Sequence, residues 1–250
     1  MSGPGQPRDG APAADEGGRG QGVGWPLWPL PLTIAAVLAL AVHVALWLSI
    51  RDGWVPACIP YLEGCTSISR AARHGLGNHL FRLLVLPCAL LVAAHWWLSA
   101  HWLGGRGRGL AWLGTLAALA LAVYATFLGT DGDIYRALRR NGVVVFFGAG
   151  FLAQLLFLRG LRGFDRHRHI VLALRLVCGW MLALGVAHLV ALAVAGGSDF
   201  QDRFENALEW LLGLGLVAWL LAHAALWRAS DYRLSANGVR DNLWTRNNCP

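Results

Sequence analysis

Long apolar runs separated by short polar segments dominate the pattern of this chain. Six of the runs are about 20 residues long, the length that a helix needs to cross roughly 30 Å of hydrocarbon. They predict spans at 32–50, 79–101, 110–129, 143–158, 170–195 and 204–227. The predicted fold is therefore all-α: a polytopic membrane protein built as a six-helix transmembrane bundle.

Polar segments flank the predicted bundle. Residues 1–24 are rich in Gly, Pro, Ala and Asp, and they predict a disordered tail. Residues 25–227 form the predicted six-span domain, and residues 228–250 predict an irregular polar tail. Trp25 and Trp28 precede the first span, at the headgroup level that indole rings favour.

Composition agrees with the membrane class. Charged residues make up 14% of the chain, against about 25% in soluble domains. Every basic residue is arginine, which is typical of a GC-rich genome. The expected location is a bacterial inner (cell) membrane. The net charge is +7, but the arginines lie in short loops between spans, where topology and anionic lipid explain them. We therefore expect membrane lipids as partners and no nucleic acid; no oligomeric state is indicated.

Arginine placement predicts the orientation. The N-terminal segment, the turns at 104–109 and 159–169, and the C-terminal tail hold more arginines than the other three loops. Because positive charge concentrates in cytoplasmic loops, both termini are predicted to be cytoplasmic. The other three loops are then external.

The first external loop, CIPYLEGCTSISRAARHGLGNHLFR at 58–82, is the richest in polar groups. Cys58 and Cys65 share it, and a disulfide between them is one interpretation in an oxidising compartment. Two free thiols is the alternative, because spacing does not fix the Cα separation. Candidate lipid-binding residues follow the cysteines: Arg73, His74, Asn78 and His79.

A cationic helix face is one hypothesis for this loop. A short helix over 66–75 would place Arg70, Arg73 and His74 on one side. Guanidinium groups bind phosphate bidentately, so this face would suit a lipid phosphate. The alternative is an ordinary set of interfacial anchors that reach the headgroups.

The other two external loops carry acids and further arginines. The candidates there are Asp131, Asp133, Arg136, Arg139, Glu205 and Glu209. Glu205 and Glu209 are four apart and share a helix face. A carboxylate at the depth of Glu209 is costly unless it is paired or faces a wet cavity.

Three interpretations of this external cluster stay open. It could be a salt-bridge network that closes the bundle. It could bind a lipid head group, with Arg73 and Arg139 on the phosphate and with Glu209 and Asp133 positioning those arginines. It could also be a lipid-modifying enzyme, an acyl or head-group transferase or hydrolase, with His79 or Glu209 as the base.

Histidines within the spans raise the question of haem. His43 and His188 lie mid-span, and paired histidines on facing helices could ligate a b-type haem. A lone histidine in a span is more often a packing residue, and neither H-x-x-x-H nor H-E-x-x-H occurs. We predict no metal site and no cofactor, with a small transporter or haem-binding protein as the alternative.

Three short motifs carry a family resemblance. They are Pro60-Tyr61 in the first external loop, LGTDGDIYRALRRNG at 128–142, and ENALEW at 205–210. With the span order and loop lengths, they resemble the DRAM/Sfk/FRAG family of six-span membrane proteins, which includes the GPI-anchor lipid-remodelling factors. The resemblance covers roughly 30–230 and implies sensing, presenting or remodelling of a membrane lipid. It supplies no established catalytic residue; Glu209 is the position to compare with the family's last-span acid.

Overall fold

A computed structural model describes residues 24–195 and 197–234. Six long helices in these ranges are apolar enough to cross a membrane, which confirms the predicted all-α six-helix bundle. They are α1 Pro29–Arg51, α4 Gly75–Leu103, α5 Leu110–Phe127, α6 Asp133–Gly160, α7 Arg168–Ala195 and α8 Asp199–Ala229. The shorter elements are helices α2 Pro60–Glu63 and α3 Ile68–Ala71, and strands β1 Trp25–Pro26 and β2 Arg233–Leu234. The protein is thus a multi-pass integral membrane protein.

Local sequence sets several helix boundaries. Pro29 and Pro31 lie in the first turn of α1, where a missing N–H costs nothing. The Ser198 hydroxyl accepts a hydrogen bond from the backbone N–H of Gln201 at 3.2 Å and so caps α8. Gly104 follows α4 with a φ of 60°, a conformation that favours glycine and ends the helix.

Two helices begin at least five residues earlier than hydropathy predicts. α6 begins at Asp133, so most of the predicted loop at 130–142 is helical. α8 begins at Asp199, five residues before the apolar stretch. Both starts carry acids, which the positive N-terminal end of a helix dipole favours. Polar helical turns therefore extend the spans beyond the hydrocarbon.

The predicted single helix over 66–75 is wrong. α3 ends at Ala71, and His74 has an extended conformation just before α4. Arg70, Arg73 and His74 consequently do not share one helical face. At the C-terminus, α8 continues to Ala229 and a strand follows; residues 1–23 and 235–250, where disorder or irregular structure was predicted, lie outside the described ranges.

The helices form a ring with one weak seam. α4 packs on α1 and α5, α5 packs on α6, and α8 packs on α1 and α7. By contrast, α6 approaches α7 only over a short stretch, and α6 and α8 have almost no close backbone approach along the part of the chain described. Aromatic side chains bridge them at one level, where Phe157 lies 6.1 Å from Trp219.

The two ends of the bundle differ in structure. The loop end holds residues 52–74 and 128–132, and the terminal end holds β1, β2, the 3-10 turn Gly104–Gly107 and the turn at 161–167. At the terminal end β1 and β2 pair antiparallel. Tyr232 is buried beside them, its hydroxyl donates to the Leu98 carbonyl at 3.1 Å, and burial raises the pKa of Tyr232. The two ends of the described chain therefore meet.

Candidate functional site

Residues 52–74 fold back over the loop end as a cap. Cys58 and Cys65 form a disulfide in this cap, with their Cα atoms 6.6 Å apart. The bridge encloses the one-turn helix α2, which carries Tyr61. A disulfide reduces the conformational freedom of the segment that it closes. The position of Tyr61 is therefore fixed by a covalent constraint.

Helix α8 holds the cap in place. Asn206 donates to the Gly64 carbonyl at 2.9 Å, and Trp210 donates to the Thr66 carbonyl at 2.8 Å. Gly64 has a φ of 60°, and a Cβ added there would overlap the backbone of Arg203. Only glycine fits this conformation and this close approach. The cap thus lies directly on the first turns of α8.

Tyr61 is hydrogen-bonded to a histidine of the first span. Its hydroxyl lies 2.9 Å from Nε2 of His43, and Nδ1 of His43 lies 2.7 Å from the Ala39 carbonyl. Since a carbonyl only accepts, Nδ1 carries the proton and Nε2 accepts from Tyr61. Burial raises the pKa of Tyr61, which keeps the phenol protonated. Trp210 packs against both rings, with centroids 5.3 and 5.8 Å away.

Arg73 lies half-buried in the turn between α3 and α4. Its Nε is buried and has no hydrogen-bond partner among residues 24–195 and 197–234. Burial lowers the pKa of the Arg73 guanidinium, the charges of Arg139 and Arg70 lower it further, and Tyr124 and Asp131 act in the opposite direction. Arginine still carries its charge at neutral pH. This concentration of partly buried positive charge favours an anion.

Tyr124 reaches the same region from α5. Its side chain is 4% exposed, and its hydroxyl has no hydrogen-bond partner within the described ranges. It interacts electrostatically with Arg73, Arg139 and Glu209. Phe81 packs edge-on against its ring at 6.2 Å, which fixes the ring between α4 and α5. A buried hydroxyl and a buried guanidinium nitrogen therefore belong to two residues that interact electrostatically, and neither atom has an acceptor in the described part of the chain.

Glu209 approaches this region from α8. The backbone N–H groups of Ile68 and Ser69 donate to its carboxylate, and Arg70 attracts it electrostatically. These interactions offset the cost of placing a carboxylate at this depth. Glu209 and Arg73 come from distant parts of the chain, and both interact electrostatically with Tyr124. We call Arg73, Tyr124, Arg139 and Glu209 the loop-end cluster.

Arg139 has a partly structural role. It is half-buried on α6, and its Nη1 donates to the carbonyl of Phe127 at 3.2 Å and to that of Thr130. These carbonyls lie at the C-terminal end of α5, where the helix leaves acceptors unsatisfied and favours a cation. Arg139 also adds positive charge beside Arg73. Its own hydrogen bonds leave it less free than Arg73 to bind a ligand.

Asn78, near the start of α4, supports the loop-end cluster through hydrogen bonds to backbone carbonyls. It is buried, and its Nδ2 donates to the carbonyls of Ala72 at 2.9 Å and Leu128 at 3.0 Å. Gly129 has a φ of 86°, and a Cβ there would lie 2.8 Å from the Arg73 carbonyl oxygen. Both amide protons of Asn78 are occupied, so the side chain ties the start of α4 to the end of α5. Its role in the structure is to place Arg73, with no donor left for a lipid.

Four other predicted site residues are not part of the loop-end cluster. His74 stacks on Trp54 with centroids 4.6 Å apart, and His79 is exposed on α4. Asp133 and Arg136 form an ion pair at 3.5 Å, with side chains 95% and 74% exposed. Asp133 is thus paired within α6 and does not position the buried arginines as expected.

The last two predicted site residues, Glu205 and Asp131, differ in their interactions. Glu205 accepts a hydrogen bond from Nε2 of Gln201 at 2.6 Å, and Oε1 of Gln201 accepts from the Gly197 N–H at 2.6 Å. Glu205 therefore takes part in the side-chain hydrogen bonds at the beginning of α8. Asp131 is exposed, but its charge acts on Arg73.

An apolar cavity of about 110 Å³ extends from the loop-end cluster into the bundle. It lies where α6 and α8 separate, and α1, α4 and α5 complete its wall. Its polar lining is His43, Tyr61, Tyr124 and Glu209. Its apolar lining includes Val85, Leu121, Val143, Phe146, Phe147, Gly213, Leu214 and Val217. The cavity therefore has a polar part at the cluster and an apolar part within the membrane.

Two further histidines are buried deeper in the bundle. The rings of His95 and His223 lie 4.5 Å apart, and their nitrogens have no hydrogen-bond partner in the ranges described. This separation leaves no room for a porphyrin between the rings, so the pair does not form a two-histidine haem site. His43 is engaged by Tyr61. No group of three or more His, Cys, Asp or Glu that could hold a metal occurs within the described residues.

Sequence reasoning missed Tyr124 and His43 as members of the site. The available signal was a polar side chain within each apolar span, since such groups are functional candidates by default. Periodicity could not show that Tyr124 meets Arg73, because the two residues come from different helices. The partner of His43 depends on how the disulfide-closed loop folds back.

The chain was compared with family models, curated proteins and solved structures, and none matches it. The resemblance to the DRAM/Sfk/FRAG family therefore stays a hypothesis. Function has to be inferred from the site itself.

Proposed function

We propose that this membrane protein binds a phosphate-bearing lipid at the loop end, without transforming it. Arg73 donates to the phosphate, Tyr124 supplies a second donor, and Arg139 adds positive charge. Part of one acyl chain occupies the apolar cavity between α6 and α8. The protein would then sense or present that lipid, which is the class of role that the family resemblance implies.

The observation that carries this proposal is the pair of buried donors, Arg73 Nε and the Tyr124 hydroxyl, that have no acceptor among the described residues. Each such group costs about 1–3 kcal/mol when it is left unsatisfied, and little water is available inside a membrane protein to compensate. Phosphate accepts several hydrogen bonds and matches guanidinium well. A bound phosphate would satisfy both donors and offset the repulsion between Arg73 and Arg139.

The cavity favours a lipid over a soluble phosphate. Most of its lining is apolar, and it lies within the membrane-crossing part of the bundle. Leu214, on the α8 side of the seam, is 48% exposed, and Phe147 on the α6 side is half-buried. A chain from the surrounding bilayer can therefore enter sideways between these helices, whereas a soluble anion gains nothing from the apolar part.

We expect Arg73→Gln to weaken lipid binding by about tenfold. A hydrogen bond to a charged group contributes roughly 1.5–3 kcal/mol, and 1.4 kcal/mol corresponds to a factor of ten in affinity. The measurement is native mass spectrometry of the purified full-length protein, titrated with phosphatidylglycerol in mild detergent.

Arg136→Gln is the matched control, because it removes the same charge at the same end but only breaks an exposed ion pair. Its affinity should stay within about twofold of the wild type, since exposed pairs contribute about 0–1 kcal/mol. Equal weakening by both variants would mean general surface attraction. Unchanged binding by Arg73→Gln would reject the proposed phosphate contact.

We expect Gly213→Leu to block the acyl chain while sparing the phosphate contact. Gly213 lines the cavity, and a Cβ there meets Ile68 Cδ1 at 3.4 Å. Displacing two methylenes at about 0.8 kcal/mol each lowers phosphatidylglycerol affinity about tenfold. Binding of glycerol phosphate, measured by calorimetry, should not change. Gly185→Leu on α7 is the control, since an added Cβ there meets nothing within 4 Å; equal affinities in the two variants would place the chain elsewhere.

A lipid-modifying enzyme is the second candidate function, and one observation favours it. The His43–Tyr61 pair and Glu209 line the same cavity, so acid–base groups border the place proposed for the lipid. His79 is exposed and does not line that cavity, so it is a weaker candidate for the base. The same mass spectra discriminate: a bound lipid that loses or gains an acyl chain on incubation indicates an enzyme, and an unchanged mass indicates a binding protein.

A further inference from the structure

Four arginines surround a second cavity at the terminal end of the bundle. Its volume is about 490 Å³, within the range of small-ligand sites. Arg106 and Arg108 come from the connection between α4 and α5, and Arg159 and Arg162 come from the end of α6 and the following turn. The other lining residues are Gly105, Leu156 and Gly160, so no acidic side chain lines the cavity among the residues that the structure describes. We call it the arginine basin.

The basin is held together by contacts between its two turns. Nη1 of Arg106 donates to the carbonyl of Arg162 at 3.1 Å. Gly160 packs so closely on α4 that an added Cβ would lie 2.7 Å from Leu103 Cδ1. The two turns therefore keep the arginines in one place, although the arginine side chains themselves are exposed.

The surroundings of the basin place it at the membrane boundary. Trp112, in the first turn of α5, is 70% exposed and packs edge-on against Trp97 at 5.7 Å. Exposed indole rings favour the headgroup zone. Towards the membrane centre, Leu116, Leu152 and Leu155 are exposed and apolar. The arginines thus lie at the level of lipid phosphates, beside a surface that suits acyl chains.

We infer that the arginine basin binds an anionic lipid with two phosphate groups from the adjoining leaflet. Arg108, Arg159 and Arg162 repel one another unless a counter-charge is present, and a head group with two negative charges offsets this repulsion better than a head group with one. Guanidinium groups bind phosphate oxygens in pairs, and the exposed leucines receive the acyl chains. The lipid would join the α4–α5 and α6–α7 connections. This site is separate from the loop-end cluster and does not depend on it.

The test compares two double variants of the full-length protein. Arg108→Gln with Arg159→Gln removes two basin charges, whereas Arg166→Gln with Arg168→Gln removes two charges, from the adjoining turn and the start of α7, that do not line the cavity. All four side chains are exposed, so both variants should fold. Each protein is placed in phosphatidylcholine nanodiscs with and without cardiolipin, and the retained lipid is counted by native mass spectrometry after gentle release. A parallel arm adds inorganic pyrophosphate as the soluble source of the same chemistry.

We expect the basin variant to retain cardiolipin about tenfold less than the wild type, and the control variant to differ by less than about twofold. Pyrophosphate should compete weakly, because it lacks acyl chains. Equal losses in the two variants would overturn the basin as a site. Complete displacement by equimolar pyrophosphate would overturn the lipid as its ligand and assign the basin to a soluble phosphate compound.

Discussion

Replacing Asn78 by leucine is expected to lower the free energy of unfolding by about 3 kcal/mol. The variant loses two buried hydrogen bonds, and the carbonyls of Ala72 and Leu128 lose their donor. An unsatisfied buried polar group costs about 1–3 kcal/mol. Leucine has the same number of side-chain heavy atoms and the same branching as asparagine, so most of the effect should come from these bonds. Equilibrium unfolding in mixed micelles, followed by tryptophan fluorescence, measures it.

Thr126→Val is the control for this prediction. The Thr126 hydroxyl donates to the Ala122 carbonyl at 2.7 Å within α5, and such bonds back to the same helix add little stability. The unfolding free energy should change by less than about 0.5 kcal/mol. An Asn78→Leu protein as stable as the wild type, yet deficient in lipid binding, would show that the amide contacts ligand and not the backbone.

Opening the disulfide should destabilise the cap by about 2.5 kcal/mol, the loop-closure value for so short a segment. The change is Cys58→Ser with Cys65→Ser, which leaves the hydrogen bonds of Asn206 and Trp210 to the cap in place. Amide hydrogen exchange over 58–66 should become about 50-fold faster than in the wild type. Exchange elsewhere in the bundle should change little.

Dithiothreitol supplies an internal control for the bridge. It should accelerate exchange over 58–66 in the wild type and have no effect on the double serine variant. Cys88 and Cys178 are buried and free, so they should not respond. If the serine variant exchanges like the wild type, the hydrogen bonds to α8 alone hold the cap.

The transmembrane fold could be predicted because the hydrophobicity of the long apolar runs dominates it. A run such as LTIAAVLALAVHVALWLSI can satisfy its backbone within a membrane only as a helix, whatever its neighbours are. The ends of the helices were harder to predict from the sequence. The stretch from Asp133 to Asn141 is polar, and hydropathy cannot distinguish a polar helix that projects from the bilayer from a loop.

The candidate site was only partly accessible from sequence. The charges of Arg73 and Glu209 stood out against an apolar background, and in the structure both act on Tyr124. The hydrogen bonds of Asn78 could not be predicted, because its acceptors are backbone carbonyls, which no side-chain pattern reveals. Asp133 was expected to act on the buried arginines, but Arg136 is one helical turn away and provides a local partner.

The contact between the cap and α8 also constrains how the protein is made. Asn206 and the carbonyl that it binds are 142 residues apart. At ribosomal rates of roughly 5–20 residues per second, α8 is synthesised on the order of ten seconds after the cap that packs on it. During that interval the Cys58–Cys65 bridge is the cap's own means of keeping its shape. Oxidation before the last helix is translated would therefore give the arriving Trp210 a preformed surface.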